Sequence, residues 1–116
     1  MTEFKPLDDH TLVAGQISVA DLAEMRRHGV TMVINNRADG EEPGQPTSAE
    51  IEAAAEAAGL DYRYIPIVRG LGPAQVEEMV SALTERDEGK MLLYCRSGMR
   101  STLAWAVASR EQGVAR

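Results

Sequence analysis

The chain has 116 residues, of which 44% are hydrophobic and 26% charged, a composition typical of one folded domain, and we expect a single domain over residues 1–116. Its formal net charge of −6 disfavours nucleic acid and anionic membranes as partners. Because no apolar run is long enough to span a bilayer, and the first ten residues are acidic rather than basic and apolar, we expect a cytoplasmic protein.

Strand and helix patterns alternate along the first part of the chain. Residues 11–17 alternate loosely between apolar and polar positions, as in a strand, and Ser18 followed by Asp21 has the pattern of a capping box. A helix is therefore predicted to follow, as far as about His28. Residues 31–35 are largely apolar, which indicates a short buried strand.

A long loop is predicted next, over residues 37–46. This segment contains two glycines and two prolines, and it exceeds the usual connection length of about 4 to 6 residues. Because loops of this length more often serve a function than not, we interpret it as a wall of the active site.

The second half of the chain repeats the alternation. Thr47 and Glu50 form another capping-box pattern, for a helix that Gly59 ends. Residues 62–67 have the period-two spacing of a strand, which we expect to be buried on both sides, and Pro66 places it near a sheet edge or a strand end. The remaining predicted elements are a helix over residues 73–83, an apolar strand over residues 91–95 and a helix over residues 101–110.

This alternation predicts an α/β fold with a parallel sheet flanked by helices, because parallel neighbouring strands need crossover connections. In such sheets ligands bind at the carboxyl ends of the strands. The run over residues 91–95 fits a central strand, and Cys95 lies at its carboxyl end. The sequence therefore places its single cysteine where a ligand site is expected.

The segment from Cys95 to Ser101 joins that strand to a helix. Backbone amides of residues 96–101 can converge there on one point, and the positive end of the helix adds to them, which favours both a bound anion and a thiolate. Gly98 permits backbone conformations that other residues avoid, and Arg100 offers a planar fork of donors for an oxyanion. We predict that Cys95 is the nucleophile and that Arg100 and Ser101 are its catalytic partners.

Several further residues are candidates for substrate binding. Arg37, at the end of a strand, would add positive charge at the mouth of the site, although an arginine there is usually solvated or ion-paired. A free cysteine at a strand end is often only packed in the core, but Gly and Arg at these spacings have no packing explanation. The loop residues predicted to contact substrate, chiefly through their amides, are Arg96, Ser97, Gly98 and Met99.

No metal and no organic cofactor is expected. One cysteine cannot form an internal disulfide, and with two scattered histidines it cannot complete a structural zinc site. Aromatic residues make up 4% of the chain, so stability should come from an aliphatic core.

The loop from Cys95 to Ser101 resembles the active-site loop of single-domain rhodaneses, in which the cysteine carries a sulfane sulfur as a persulfide. Almost the whole chain is more similar to the phosphatase-like domain of the beta-lactamase-hydrolase-like proteins. Residues 33–37, 39–46 and 65–67 carry this similarity together with the loop. The resemblance implies the dual-specificity phosphatase fold, and with it either sulfur transfer or phosphate-ester hydrolysis.

Two departures from the cysteine phosphatases favour sulfur transfer. Their arginine follows the cysteine by six positions, whereas Arg100 follows Cys95 by five, and the smaller ring suits a persulfide or sulfonate better than a phosphate. Dual-specificity phosphatases also place an aspartate general acid in the loop that corresponds to residues 68–72, which here contain no carboxylate. Sulfur exchange between thiolates needs no such acid, whereas cleavage of a phosphate ester does.

Three hypotheses follow. The first is a sulfur transferase that carries sulfane sulfur on Cys95 and exchanges it with small thiol donors and acceptors. The second is a phosphatase with a phosphocysteine intermediate, which would have to recruit Asp39, Glu41 or Glu42 as its acid. The third is a catalytically silent module that binds an anion or a persulfidated partner. The donor, the acceptor and the oligomeric state are not encoded in any motif of the chain.

Overall fold

The computed structural model describes residues 3–114 of the chain and the side chains of residues 3–113. Five strands and four helices follow one another within this part. Their bounds are Phe4–Asp8 (β1), Thr11–Ala14 (β2), Val19–Arg27 (α1), Val30–Asn35 (β3), Ser48–Ala57 (α2), Asp61–Tyr64 (β4), Pro73–Glu85 (α3), Lys90–Tyr94 (β5) and Met99–Val114 (α4).

The strands form one sheet in the order β1-β2-β5-β3-β4. Strands β2, β5, β3 and β4 are parallel to one another, and β1 is antiparallel to β2. β5 lies in the middle, with its Leu92 opposite Leu12 of β2 on one side and Val33 of β3 on the other. The predicted α/β fold is confirmed, and so is the central position of the strand that precedes Cys95.

The N-terminal strand β1 departs from the prediction, which begins at residue 11. Pro6 is unfavourable inside a sheet, and every residue of β1 is exposed or half-buried, so the segment lacks the apolar pattern of a strand. A proline is tolerated here because β1 is an edge strand. The sheet is parallel except at this edge, where β1 returns through a turn at Asp9 and His10 to pair with β2.

The strand predicted over residues 62–67 is shorter and more exposed than expected. β4 ends at Tyr64, and none of its four residues is buried, so burial on both sides is wrong. The edge position that Pro66 indicated is confirmed. Ile65 and Ile67, which follow β4, are buried and continue along the end of β3 through backbone hydrogen bonds.

The helices begin close to where the sequence places them. In α2 both hydrogen bonds of the predicted capping box are present, since Thr47 Oγ1 accepts from the N–H of Glu50 and the Glu50 carboxylate accepts from the N–H of Thr47. In α1 the N–H of Ser18 donates to the Asp21 carboxylate at 2.9 Å. Helix α4 begins two residues earlier than predicted, at Met99, and β2 ends at Ala14 rather than at residue 17.

Two apolar clusters cover the two faces of the sheet, with α1 and α2 on one face and α3 and α4 on the other. Alternate residues of β5 enter each cluster, and Tyr94 lies in the core on the first face. Burying one large aliphatic side chain contributes roughly 1.5–3 kcal/mol, so β5 is held firmly in the sheet. The fully buried side chains that anchor it are Leu92 and Tyr94 on the first face and Met91 and Leu93 on the second.

Within residues 3–114, no helix combines the length and the apolar character needed to cross a membrane. The same part of the chain holds no group of three or more histidine, cysteine, aspartate or glutamate side chains arranged to bind a metal ion.

Candidate active site

The loop between β5 and α4 curls around the sulfur of Cys95. Only residues 95–98 separate the strand from the helix. Gly98 has a φ of +93°, in the left-handed region that favours glycine, and its backbone N–H donates to the Cys95 Sγ at 3.1 Å. The special backbone conformation that the sequence predicts for Gly98 is confirmed, and it is what aims this amide at the sulfur.

The end of β2 fixes the backbone of this loop from one side. The N–H of Cys95 donates to the carbonyl of Ala14 at 3.4 Å, and the N–H of Gln16 donates to the carbonyl of Arg96 at 3.3 Å. A Cβ at Gly15 would lie 2.9 Å from that same carbonyl oxygen, so the two backbones approach more closely than a side chain would allow. No feature of the sequence analysis identified Gly15 or Gln16 as support for the loop.

The Cys95 thiol is fully buried and lies among hydrogen-bond donors. Burial raises its pKa, but this effect is outweighed by the backbone amides of Ser101, Ser97 and Gly98 and by the Ser101 hydroxyl, and the net pKa is lowered. A lowered pKa increases the thiolate fraction at neutral pH, and the thiolate is the nucleophilic form of cysteine.

We expect the Cys95 pKa to lie below the ordinary value of a free cysteine, because the loop amides outweigh the effect of burial. Because the folded-state pKa is lowered, the thiolate should be present above that pKa and lost as the pH falls through it. The ultraviolet absorbance of the thiolate, measured against pH, tests this without requiring a reagent to reach the buried sulfur. Cys95→Ser is the blank, since Cys95 is the single cysteine of the chain. A pKa at or above about 8.5 would contradict the expectation.

Ser101 lies between the sulfur and a buried asparagine. Its Oγ donates to Asn36 Oδ1 at 2.8 Å, and Asn36 Nδ2 donates to the carbonyl of Ile65 at 2.9 Å. The Ser101 hydroxyl also lowers the pKa of Cys95, but its one hydrogen can serve only one acceptor at a time. Asn36 therefore competes with the sulfur for that hydrogen, and the predicted catalytic role of Ser101 stays a prediction.

Arg100 faces an anion, as predicted, but that anion belongs to the chain. Its Nη1 and Nη2 each lie 2.7 Å from one oxygen of the Glu41 carboxylate, and Nη1 also donates to the carbonyl of Ile67 at 2.8 Å. The predicted loop over residues 37–46 thus reaches the Cys95 loop, which supports its interpretation as a wall of the site. The pKa of Arg100 is raised by the Glu41 carboxylate, and Cys95 contributes in the same direction.

Glu41 is shared between two arginines. Its Oε1 also accepts from Nε of Arg37 at 3.0 Å. The hydrogen bonds from Arg100 and then from Arg37 outweigh the effect of burial and lower the pKa of Glu41 to about 2. In this arrangement the carboxylate is ionised at neutral pH, so Glu41 is a poor candidate for a general acid.

Arg37 is buried, with 1% of its surface exposed. Besides Glu41, its guanidinium donates to Glu42 at 2.9 Å and to Gln16 at 2.9 Å, and its own backbone N–H donates to the Asn35 side chain. These contacts hold residues 37–46 against the sheet. The predicted contact of Arg37 with substrate stays a prediction.

The other predicted binding residues lie around the loop. Arg96, Ser97 and Met99 are exposed, and Met99, with 77% of its surface accessible, lies at the rim. A cavity of about 720 Å³ adjoins Ser97 and Met99 and is also lined by residues of β1, β2 and α4. Asp39, one of the acid candidates, is exposed and accepts a hydrogen bond from the N–H of Ser48 at 2.7 Å.

A buried cysteine whose sulfur accepts from a loop amide, with an arginine in the same loop, lies at the carboxyl end of the central strand of an α/β sheet, and this is the architecture of a cysteine-based, phosphatase-like domain. The family model for the "Beta-lactamase hydrolase-like protein, phosphatase-like domain" matches residues 3–112. The chain belongs to this family.

Named relatives agree with this assignment. A beta-lactamase hydrolase-like protein of Agrobacterium fabrum is 33% identical over 110 residues, which is 92% of this chain and 25% of the relative. Another, from Xylella fastidiosa (strain Temecula1), is 31% identical over 103 residues, covering 88% of this chain and 24% of the relative. The chain therefore spans about a quarter of the length of these relatives.

Solved structures share the fold. A DUF442 protein of Shewanella putrefaciens CN-32, described as a candidate phosphatase, has a TM-score of 0.83 at 20% identity, with 96% of this chain and 69% of that chain covered. A second candidate phosphatase, from Neisseria meningitidis Z2491, has a TM-score of 0.77 at 27% identity, with 96% and 87% covered. The kinase associated phosphatase has a TM-score of 0.74 at 16% identity, with 88% and 65% covered. The predicted likeness to the dual-specificity phosphatase fold is confirmed.

Proposed function

We propose that this domain transfers sulfane sulfur between small thiols, with Cys95 as the carrier. The observation that carries the proposal is the pairing of Glu41: both oxygens of this carboxylate lie 2.7 Å from the guanidinium of the loop arginine, and Arg37 contacts one of them at 3.0 Å, which lowers the pKa of Glu41. The site is thus suited to stabilise a thiolate, and this carboxylate does not offer a proton. The five-position spacing between Cys95 and Arg100 and the lack of a carboxylate in residues 68–72 support the same conclusion.

The chemistry requires two thiolate exchanges. The Cys95 thiolate attacks the outer sulfur of a donor persulfide, a new S–S bond forms, and the bond inside the donor breaks to release the donor thiolate. An acceptor thiolate then attacks the outer sulfur of the Cys95 persulfide and regenerates the Cys95 thiolate. No proton is needed for either leaving group, because each leaves as a thiolate. The amides of Ser97, Gly98 and Ser101 are placed to stabilise the charge on the sulfur.

Phosphate-ester hydrolysis is the second candidate, and the comparisons favour it over sulfur transfer. The matched family is described as phosphatase-like, and so are the neighbouring structures. A phosphatase would form a phosphocysteine at Cys95 and would need a proton for the leaving oxygen. With Glu41 paired to two arginines, Asp39 or Glu42 would have to supply that proton after some movement of the loop.

The two chemistries can be separated on one preparation. Incubation with glutathione persulfide is expected to add the mass of one sulfur atom to the protein, and a reductant should remove it. Cys95→Ser should show neither change. Aryl phosphate hydrolysis is measured in parallel for the parent chain and for Asp39→Asn, Glu41→Gln and Glu42→Gln.

Each of the three carboxylate variants should keep sulfur transfer within a few-fold, since no step uses a general acid. In a phosphatase, the variant that removes the acid should lose roughly 10²-fold or more against a poor leaving group. Such a loss, together with no sulfur adduct from any small donor, would replace our proposal by the phosphatase. Anion binding without turnover of either substrate would instead favour the catalytically silent module.

A further inference from the structure

Arg100 uses some of its hydrogen-bond donors for contacts within the chain, and the others are available to a bound anion. Of the five N–H donors of a guanidinium, two bind the Glu41 carboxylate end-on and a third binds the carbonyl of Ile67. The remaining two are Nε–H and one hydrogen of Nη2, which lie side by side along one edge of the planar group. Arg100 lies in the first turn of α4, five positions after Cys95, and the Cys95 sulfur contributes to its raised pKa. Arg100 thus keeps a single two-pronged fork available for an anion at Cys95.

The two arginines that contact Glu41 are already compensated by carboxylates. Arg37 and Arg100 carry two positive charges, and they are paired with the negative charges of Glu41 and Glu42. Each of these ion pairs is 3.0 Å or shorter. An anion that enters the loop therefore meets oriented amides, one arginine edge and the helix terminus, while the charges of Arg37 and Arg100 are compensated and the charge of Arg96, in the loop itself, acts on Glu42.

We propose that Glu41 determines the charge of the anion that the Cys95 loop accepts, favouring singly charged groups over doubly charged ones. It does so by holding Arg100 in place and by repelling a bound anion in proportion to that anion's charge. The inference deepens the proposed function: a persulfide carries one negative charge at its terminal sulfur, whereas a phosphate monoester is largely a dianion near neutral pH. Glu41 thereby becomes a specificity-determining residue that acts through Arg100.

The expected size follows from Coulomb's law. The interaction of Glu41 with a bound dianion is twice its interaction with a monoanion at the same place. Removing the charge should therefore increase the affinity for a dianion by the square of the factor found for a monoanion. If the monoanion gains about threefold, a moderate factor for a partly exposed carboxylate, the dianion should gain about tenfold.

Sulfate and methanesulfonate are suitable probes, because both present a tetrahedral group of sulfonate oxygens but carry two and one negative charges. Their dissociation constants are measured at constant ionic strength from the chemical shifts of the loop amides, residues 96–101, in the parent chain and in Glu41→Gln. Glu42→Gln is the matched control: it removes the same charge from the same loop, but Glu42 contacts Arg37 and not Arg100. We expect about tenfold tighter sulfate and about threefold tighter methanesulfonate in Glu41→Gln, and less than a twofold change for either probe in Glu42→Gln.

Equal gains for the two probes, or no gain, would overturn the proposal. Glu41→Asp keeps the charge and provides a second variant if Glu41→Gln does not fold; it should retain most of the discrimination, and a sulfate gain of about tenfold there would also overturn the proposal. The outcome is independent of the sulfur assay. If the protein forms the Cys95 persulfide but shows no charge effect, the proposed function stands and this inference is wrong. If it shows the charge effect but forms no persulfide, the role of Glu41 stands and the proposed sulfur transfer is wrong.

Discussion

Arg100→Lys is expected to reduce turnover by roughly 10²-fold although the positive charge is kept. Arg100 donates three of its N–H groups to Glu41 and Ile67, and its other two, which lie in one plane, are available to bind the anion at Cys95. An ammonium group has three donors in a compact tetrahedral arrangement, so it cannot satisfy the carboxylate, the carbonyl and a substrate together. The loss should appear in sulfur transfer and in aryl phosphate hydrolysis alike, because both need the same anion cradle.

The matched control is Arg63→Lys. The Arg63 side chain is 30% exposed, against 29% for Arg100, and it is also paired with carboxylates, those of Asp61 and Glu85. Thermal unfolding of both variants separates a loss of folded protein from a loss of catalysis. If Arg100→Lys has unchanged kinetics per folded molecule, the planar fork is not used and the assignment of Arg100 to the site is wrong.

The Cys95 loop could be predicted from sequence because all of its determinants are local. An apolar run of four residues identifies the buried strand, and Gly98 and Arg100 follow within five positions of the cysteine. The structure confirms the central strand, the positive φ of Gly98 and the helix that follows the loop. Each of these features depends on residues that are close together in sequence, so the pattern of one short segment is enough to predict it.

The pairing of Arg100 with Glu41 could not be predicted in the same way. The two residues are 59 positions apart, and the sequence analysis treated one as an anion ligand and the other as a candidate acid. Their contact depends on how residues 37–46 fold back over the sheet. That path is set by buried Arg37, a residue type that is usually exposed or paired at the surface.

The sequence pattern does not predict strand β1, for a different reason. Its five residues include Lys5, Pro6 and Asp8, and neither face of the strand forms an apolar stripe. The strand is specified instead by its partner, since the turn after β1 leads directly into β2, whose outer edge is otherwise unpaired. A strand that pairs with the open edge of a sheet does not need an apolar pattern of its own, so the hydrophobicity of its residues does not reveal it.

Gly98→Ala is expected to have two separate effects. An alanine at a φ of +93° is strained, and this should lower the free energy of unfolding by about 1–2 kcal/mol. Its Cβ would lie 3.4 Å from the carbonyl oxygen of Ala14, an ordinary contact, so it is relief of the strained φ that would shift the loop. The shift would move the N–H that now lies 3.1 Å from the sulfur. Because removing one such donor typically reduces turnover by roughly 10²-fold or more, we expect a loss of that size and a rise in the Cys95 pKa.

Gly29→Ala separates the two effects. Gly29 has the same φ of +93° at the end of α1, and nothing lies within 4 Å of the position that a Cβ would take. Both variants should therefore lose stability by similar amounts in denaturant unfolding, while turnover per folded molecule and the thiolate pKa should change in Gly98→Ala alone. If the two variants were equally active once corrected for folded fraction, the Gly98 amide would not contribute to the chemistry, and the electrostatic account of the Cys95 thiolate would have to rest on the amides of Ser97 and Ser101.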